Sequence, residues 1–166
     1  ITHNYSGYPL VREMKSLVQS GELGNIRSVR GSYLQGWLGS KEEDTGKNKQ
    51  AEWRTDPKRS GAAGGVGDIG SHTLHLIEFI TGIKLQSVAA DLSTFVKGRK
   101  LDDDASIFLR MENGVKGSIS VSQIAVGEEN NLSISIYGDK ASLKWNQENP
   151  NQAEFNKVGH HKQILT

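Results

Sequence analysis

The sequence contains no cysteine, which excludes disulfide bonds and thiolate metal sites. This absence is typical of a cytoplasmic protein, and we predict that location. No apolar run approaches the ~20 residues that a membrane-spanning helix needs, so no transmembrane segment is expected. The net charge is only +1, and basic and acidic residues are interspersed. Neither a nucleic acid nor a membrane surface is therefore a predicted partner.

The sequence also lacks a recognisable phosphate-binding motif. Its glycine-rich stretch, Gly61-Ala-Ala-Gly-Gly-Val-Gly67, follows a long polar segment, and no Gly-Lys-Ser/Thr comes after it. A dinucleotide site needs a Gly-x-Gly-x-x-Gly turn between a strand and a helix, and a P-loop needs that lysine. We therefore predict no cofactor-binding residue in this chain.

The first half of the chain shows two helical patterns and one strand. Apolar residues recur at helical spacing from Pro9 to Ser20, and Gly21 suits the end of that helix. A strand is predicted from Ile26 to Leu34, and a second helix from Asp68 to Thr81. Between them, residues 39–67 have no periodicity, and a loop of that length is usually functional or disordered.

From Ser87 onward the hydrophobic period changes to two, as expected for half-buried strands. Asn113-Gly114 is a strong signal for a two-residue hairpin. The pattern predicts an antiparallel meander of about four to six strands. Beyond Asn146 no helix or strand is predicted. The whole pattern favours a single α+β domain over residues 1–166, with an open, mostly antiparallel sheet and helices packed on one face.

Asp68 and His72 are the strongest candidates for a chemical role. Their spacing at the start of the second helix places both side chains on one face, one turn apart. A carboxylate beside an imidazole can orient the ring and favour its charged form, which suits acid–base catalysis. Alternatively, Asp68 caps the helix near Ser71 and His72 is a partly buried helix residue. A metal site that adds His75 is a third option; we predict no metal.

Trp53 and Arg54 precede the glycine-rich stretch and are candidates for substrate contact. The Arg54 guanidinium offers a planar fork for hydroxyl or acidic groups, and Trp53 offers an apolar face for a sugar ring. The structural alternative is that Trp53 closes the edge of the core and Arg54 pairs with Asp56. Tyr5 could line the same cleft, and a simple packing role is the alternative there too.

Several segments together resemble the C-terminal, substrate-side domain of the Gfo/Idh/MocA oxidoreductases. The resemblance is carried by Gly67-Asp-Ile-Gly-Ser-His72, Trp53-Arg-Thr-Asp-Pro57, Thr2-His-Asn-Tyr-Ser-Gly-Tyr-Pro9, Gly24-Asn-Ile26, Leu101-Asp-Asp-Asp104 and Ile136-Tyr-Gly-Asp-Lys-Ala-Ser-Leu-Lys-Trp145. It implies a fold like the C-terminal domain of glyceraldehyde-3-phosphate dehydrogenase. It also implies hydride transfer between NAD or NADP and a sugar, inositol or related polyol.

The same resemblance implies separate roles for the two candidate residues. His72 would take the hydroxyl proton, alone or together with a lysine, and Asp68 would orient hydroxyls and hold the imidazole. The family's dinucleotide-binding domain and its Glu-Lys-Pro motif, which carries that lysine, do not occur in this sequence. We therefore expect a substrate-binding and catalytic half that is inactive alone, with NAD or NADP bound mainly by the domain it lacks.

One face of the predicted sheet is lined by small polar side chains, namely Ser118, Ser120, Ser122, Ser133 and Ser135. An ordinary solvated sheet surface would look the same. In the family that the chain resembles, open sheet faces pack against a second subunit, which implies a homo-oligomer. The rival to an enzyme is a non-catalytic binding or assembly module, and the presence of both Asp68 and His72 argues against it.

Overall fold

The computed structural model describes residues 2–166, which form one eight-stranded sheet with helices on one side. The strands are β1 (Ile26–Leu34), β2 (Leu85–Ser93), β3 (Asp104–Met111), β4 (Lys116–Ser122), β5 (Asn131–Gly138), β6 (Ala141–Asn146), β7 (Ala153–Lys157) and β8 (Gln163–Leu165). Their order across the sheet is β2-β3-β4-β1-β5-β6-β7-β8. Neighbouring strands are antiparallel except β1 and β4, which are parallel.

The helices are α1 (Pro9–Gln19), α2 (Lys49–Arg54), α3 (Pro57–Ser60) and α4 (Ser71–Thr81). Short 3₁₀ turns cover Asn4–Gly7, Glu42–Thr45 and Glu112–Gly114, and a π turn over Val66–Gly70 runs directly into α4. Helices α1 and α4 pack against each other, and both contact the sheet. The predicted α+β class, with an open sheet and helices on one face, is confirmed.

Helix α4 lies unusually close to the central strand β1. A Cβ atom placed on Gly31 would be only 2.4 Å from Cγ2 of Thr73, so the approach depends on glycine at this position. Leu76 and Ile77 on α4 are fully buried against the sheet. Each such side chain contributes roughly 1.5–3 kcal/mol through burial. The close packing fixes α4, which carries His72, relative to the end of β1.

Several expected boundaries are confirmed. Helix α1 and strand β1 have the predicted extents within one residue, as does the end of α4. Asn113 and Gly114 both have positive φ, at 59° and 74°, but the connection from β3 to β4 covers residues 112–115, so it is longer than the expected two-residue turn. Within residues 2–166, no helix combines the length and the apolar character that crossing a membrane requires.

Beyond Asn146 the sequence-based prediction is wrong, because β7 and β8 extend the sheet there. The sheet therefore has eight strands instead of four to six. Ala153 and Phe155 point into the core, but the residues around them are polar and β8 is only three residues long. The simple meander is also wrong, because β1 lies between β4 and β5.

The segment 39–67 is not a structureless loop, since it contains α2 and α3. Each of these helices is too short to show hydrophobic periodicity, and each begins at a side-chain cap. Asn48 Oδ1 accepts from the Ala51 N–H at 3.2 Å, and Asp56 Oδ1 accepts from the Lys58 N–H at 3.0 Å. The segment places Asn48, Gln50 and Arg54 in the lining of the same cavity as Tyr33, near the end of β1.

The side of the sheet away from α1 and α4 is called the open face below. Its central part is formed by Arg30, Ser32, Phe108, Ser118, Ser120, Ser133 and Ser135. Phe108 is 65% exposed there. Ser122 follows the same alternation along β4 as Ser118 and Ser120, but it is only 5% exposed and adds little accessible surface.

Candidate active site

A cavity of about 490 Å³ lies where β1 ends and the π turn begins. Its lining side chains are Tyr33, Gln35, Trp37, Asn48, Gln50, Arg54, Asp68, Ile69 and His72. The volume is in the range of ordinary small-molecule sites, although the lining is more polar than most. The cavity thus brings together three of the predicted site residues, Asp68, His72 and Arg54.

Asp68 is held in the cavity by two donors from distant parts of the chain. Its Oδ2 accepts from Arg54 Nε and from Gln123 Nε2, both at 2.8 Å. Arg54 is further held by a hydrogen bond to Gln50. Two alternatives from the sequence are therefore wrong: Asp68 does not cap the helix, and Arg54 pairs with Asp68 instead of Asp56.

His72 is held by ring contacts instead of hydrogen bonds. The rings of His3 and Tyr5 pack edge-on against its imidazole, with centroids 5.1 and 5.2 Å away. Its Nδ1 atom is enclosed and has no hydrogen-bond partner among residues 2–166. Within the same residues, no hydrogen bond joins His72 to Asp68, which differs from the expected carboxylate–imidazole pair.

Burial lowers the pKa of His72 below its ordinary value of 6.5, and neighbouring His3 lowers it further. The negative charge of Asp68 raises this pKa, but by less than the other two effects lower it. Asp68 thus favours the charged imidazole, as expected, but burial and His3 outweigh it and the pKa of His72 is lowered. A neutral imidazole near pH 7 is the form that can accept a proton.

A hydrogen-bonded network lies beside His72 at the base of the cavity. The hydroxyls of Tyr5 and Tyr33 are 2.6 Å apart, and Tyr33 donates to Asn130 Oδ1 at 2.6 Å. Gln35 donates to the same oxygen at 2.9 Å and accepts from Trp37 Nε1 at 2.9 Å. Burial raises the pKa of Tyr33 far above its usual range. Its phenol therefore stays protonated and serves as a hydrogen-bonding group.

Trp53 and Tyr5 lie behind the cavity lining. The Trp53 ring stacks on the Arg54 guanidinium, whose carbon is 4.3 Å from the ring centroid. Its indole nitrogen donates to Gln50 at 3.1 Å. Tyr5 is 8% exposed and touches His72 from the core side. Both residues support cavity side chains, while Arg54 faces the cavity itself.

Sequence reasoning missed His3, Tyr33, Gln35, Gln123 and Asn130. Gln35 and Gln123 directly follow β1 and β4, and these strands are parallel neighbours, so their ends meet at the same edge of the sheet. The only sequence signal for Gln35 and Gln123 is that each is a polar residue directly after a strand. This signal predicts that they lie close together only when the pairing of β1 with β4 is known. His3 and Asn130 have no such signal.

The family model that describes the GFO/IDH/MocA C-terminal domain matches residues 11–144. This chain belongs to that family. It is 30% identical to YfiI of Bacillus subtilis (strain 168), an uncharacterized oxidoreductase, over 99% of this chain and 42% of the relative. The resemblance inferred from the motifs is thereby confirmed, and the family members found by the comparisons are oxidoreductases.

Solved structures of the family share the fold closely. An inositol dehydrogenase homolog complexed with NAD+ from Azotobacter vinelandii has a TM-score of 0.93 and 32% identity, covering 99% of this chain and 42% of that one. Levoglucosan dehydrogenase in complex with NADH and levoglucosan has a TM-score of 0.88 and 27% identity, covering 98% and 45%. The chain thus spans less than half the length of the proteins that it matches.

The glycine-rich turn of this Gfo/Idh/MocA domain does not fit the phosphates of a dinucleotide. The N–H groups of Gly64, Gly65 and Val66 already bind oxygens of Asp102, at 2.7, 2.8 and 2.7 Å. Among residues 2–166, no cluster of three His, Asp or Glu side chains has the arrangement of a metal site. His75, the third ligand of the metal alternative, stacks on His3 with centroids 4.1 Å apart. The lack of a metal stays a prediction.

Proposed function

We propose that this chain is the substrate-binding and catalytic half of an NAD- or NADP-dependent oxidoreductase that acts on a sugar, an inositol or a related polyol by hydride transfer. The observation that carries the proposal is the single cavity shared by Asp68, Arg54 and a neutral His72. Family members hold NAD+ alone, or NADH together with levoglucosan, which supports both the cofactor and the substrate class.

In the proposed reaction, His72 accepts the proton of the substrate hydroxyl. Its Nδ1 is enclosed, so Nε2 is the nitrogen that can receive this proton from the cavity. The carbon that bears the hydroxyl loses its hydrogen with the bonding electron pair, and a carbonyl forms. When bound, NAD+ or NADP+ supplies the acceptor of that hydride. The low pKa of His72 keeps the base neutral at physiological pH.

Asp68 and Arg54 are proposed to orient the substrate. Both hydrogen bonds to the Asp68 side chain fall on Oδ2, which leaves Oδ1 able to accept from a substrate hydroxyl. The amides of Gln35, Asn48 and Gln50 add donors and acceptors around the same cavity. Alternating donors and acceptors match the many hydroxyls of a polyol, each of which can both donate and accept.

Oligomer formation through the open face is a further part of the proposal. Short side chains there permit a close approach of two sheets, and the exposed Phe108 supplies apolar area. Closed two-fold dimers are the commonest homo-oligomers. Assignment of residues 1–166 to one substrate-side domain, and a cytoplasmic location, stay predictions alongside it.

The test uses the full-length protein with NAD+ or NADP+ and a panel of inositols, aldoses and anhydrosugars, with ethanol as a control alcohol. We expect reduced cofactor to form with at least one ring polyol and none with ethanol. The isolated chain should give no turnover and should not bind NADH or NADPH at micromolar concentration in calorimetry. Sugar binding by the full-length protein without any turnover would instead favour the non-catalytic binding module.

A further inference from the structure

Two adjacent aspartates before and at the edge of β3 are buried and lie outside the cavity. Asp102 is 8% exposed and Asp103 is 1% exposed. Carboxylates this deeply buried need hydrogen-bond donors, because an unpaired buried charge is strongly destabilising. The hydrogen-bond donors of the two aspartates belong to different segments, the glycine-rich turn for Asp102 and residues 95–99 for Asp103.

Asp102 binds three consecutive backbone N–H groups of the glycine-rich turn. Its Oδ1 accepts from Gly64 and its Oδ2 from Val66, both at 2.7 Å, while its carbonyl oxygen accepts from Gly65 at 2.8 Å. The first N–H groups of a helix have no partner within the helix. Asp102 therefore caps the helix that leads to His72, although it lies 36 residues beyond Val66 in the sequence.

The glycine turn lies very close to the backbone of this aspartate. A Cβ atom on Gly64 would lie 2.1 Å from the Asp102 carbonyl oxygen, so contact this close requires glycine. The Gly64 carbonyl in turn accepts from the N–H of Asp68 at 2.9 Å. The backbone of Asp68 is therefore bonded to Gly64, and Gly64 is bonded in turn to Asp102.

The clamped turn sets the direction of the Asp68 side chain. Asp68 lies within the π turn, Val66–Gly70, and such turns occur frequently at functional sites. From there its carboxylate reaches Arg54 and Gln123 at 2.8 Å and lines the cavity. If the turn relaxed, these distances would lengthen and Asp68 would move relative to His72.

Asp103 provides an internal comparison. Its carboxylate accepts from the N–H groups of Phe95 and Val96, at 2.8 and 3.0 Å, and from Arg99 at 3.4 Å. None of these partners belongs to the glycine turn or to the cavity lining. Removing the charge of Asp103 therefore changes a buried aspartate just as removing that of Asp102 does. It leaves the hydrogen bonds between Asp102 and the glycine-rich turn in place.

We propose that Asp102 is a positioning residue of the active site, which fixes the glycine turn so that the Asp68 carboxylate faces the cavity beside Arg54. The inference deepens the proposed function, since it rests on Asp68 and His72 forming the reactive site. Asp102 does not line the cavity, and we expect it to make no contact with the substrate. It acts through Asp68.

The pKa of His72 depends on the position of the Asp68 carboxylate. The groups that face His72 are His3 and Tyr5 from the N-terminal segment, Tyr33 from β1, and Asp68 and His75 from its own helix. Asp68 is the group among them whose charge raises the pKa of His72. A carboxylate that moves away must therefore lower this pKa further, without any change to the imidazole itself.

The experiment compares Asp102→Asn, Asp103→Asn and Asp68→Asn in the full-length protein. The first readout is the NMR titration of His72 in ¹³C-histidine-labelled protein, assigned with His72→Gln. We expect Asp102→Asn and Asp68→Asn to lower the midpoint in the same direction, and Asp103→Asn to leave it unchanged. A wild-type midpoint in Asp102→Asn, together with a lowered one in Asp68→Asn, would overturn the proposal. If Asp102→Asn does not fold, Asp102→Glu replaces it, since it keeps both acceptor oxygens and displaces the turn by one methylene.

The second readout is a double-mutant cycle in kcat/KM. We expect Asp102→Asn to lower kcat by about 10- to 100-fold with little change in KM, the usual result of a small misplacement. In the Asp68→Asn background the same substitution should have no further effect, whereas effects that multiply would contradict action through Asp68. If His72→Ala keeps normal turnover while the titrations agree with expectation, His72 is not the base and the proposed function fails, whereas the effect of Asp102 on the position of Asp68 stands.

Discussion

The cavity and the open face are both lined by polar side chains, but these side chains are held very differently. In the cavity, Asp68 accepts two hydrogen bonds at 2.8 Å, from residues 14 and 55 positions away in the sequence. On the open face, Arg30 donates to Ser118 at 3.3 Å, and Ser32 and Ser133 bond to each other at 2.8 Å. Polar groups fixed by several partners suit recognition of a small molecule, while short side chains on a flat sheet suit contact with another surface.

The difference follows from how each region is built. The open face is formed by regular strands, so its side chains repeat every second residue and need few special contacts. The cavity is formed by residues at the end of β1, in α2 and in the π turn, and its carboxylate, Asp68, takes both partners from other segments. The cavity should therefore be sensitive to single substitutions that remove one partner, and the open face to substitutions that add bulk or charge.

The largest expected effect is that of His72→Ala on turnover. Removal of a general base usually lowers kcat by about 10²- to 10⁴-fold. Apart from the Asp68 carboxylate, no other side chain among the described residues that line the cavity can replace His72 as the base. Steady-state kinetics of the full-length protein measure this. His161→Ala, in the exposed C-terminal segment, is the control and should keep wild-type kcat. Near-normal turnover in His72→Ala would remove the proposed base.

Ser120→Arg should disrupt self-association through the open face. The substitution places an unpaired charge near the centre of the proposed contact, which should weaken dimerisation by about 100-fold or more. Light scattering on the full-length protein over a concentration series measures the change. Ser16→Arg, on the exposed side of α1, is the matched control and should leave association intact. A monomeric wild type, or an equally tight Ser120→Arg dimer, would contradict the assignment of this face.

Arg54→Gln should have a smaller effect on kcat/KM, a loss of about tenfold. Asp68 would lose one charged hydrogen bond but keep Gln123, and a hydrogen bond to a charged group contributes about 1.5–3 kcal/mol. The matched control is Arg59→Gln, since Arg59 is exposed on α3. Equal kcat/KM values for the two variants would show that the Arg54–Asp68 pair does not orient the substrate.

The smallest expected effect is a shift of the acid limb of kcat/KM in His3→Leu. Burial and His3 both lower the pKa of His72, so the neutral, active form persists below pH 6.5. Removal of His3 takes away one lowering effect and raises this pKa, and the acid limb should move to higher pH. The pH profile should stay unchanged in the control His160→Leu. A shift to lower pH would contradict the sign of the His3 effect.

Much of the fold could be predicted from the sequence, because its regular elements are encoded locally. Period-two alternation identified β2 to β6, and helical spacing identified α1 and α4. β7 and β8 were missed because they are short and carry few apolar residues, so only their pairing to β6 makes them strands. Helices α2 and α3 were missed because capping, not periodicity, defines them.

The site could be predicted only in part. Asp68, His72 and Arg54 lie in one cavity, as their sequence context suggested. The partners that decide their chemistry come from far away: Gln123 on the exit from β4, His3 near the N-terminus and Asp102 before β3. Contacts at such separations depend on strand order, above all on β1 pairing with β4, which no local pattern encodes. The burial of His72 and its contact with His3, which together lower its pKa, depend on the same long-range packing.

The role of His72 as the base is tested most directly by a crystal structure of the full-length protein with NADH and the best polyol found in the substrate panel. We expect the reacting hydroxyl oxygen to lie within about 2.6–3.2 Å of His72 Nε2, with a second hydroxyl bonded to Asp68. A polyol bound elsewhere, or one whose reacting oxygen is out of hydrogen-bond reach of His72 while hydride-transfer geometry is in place, would contradict the central claim.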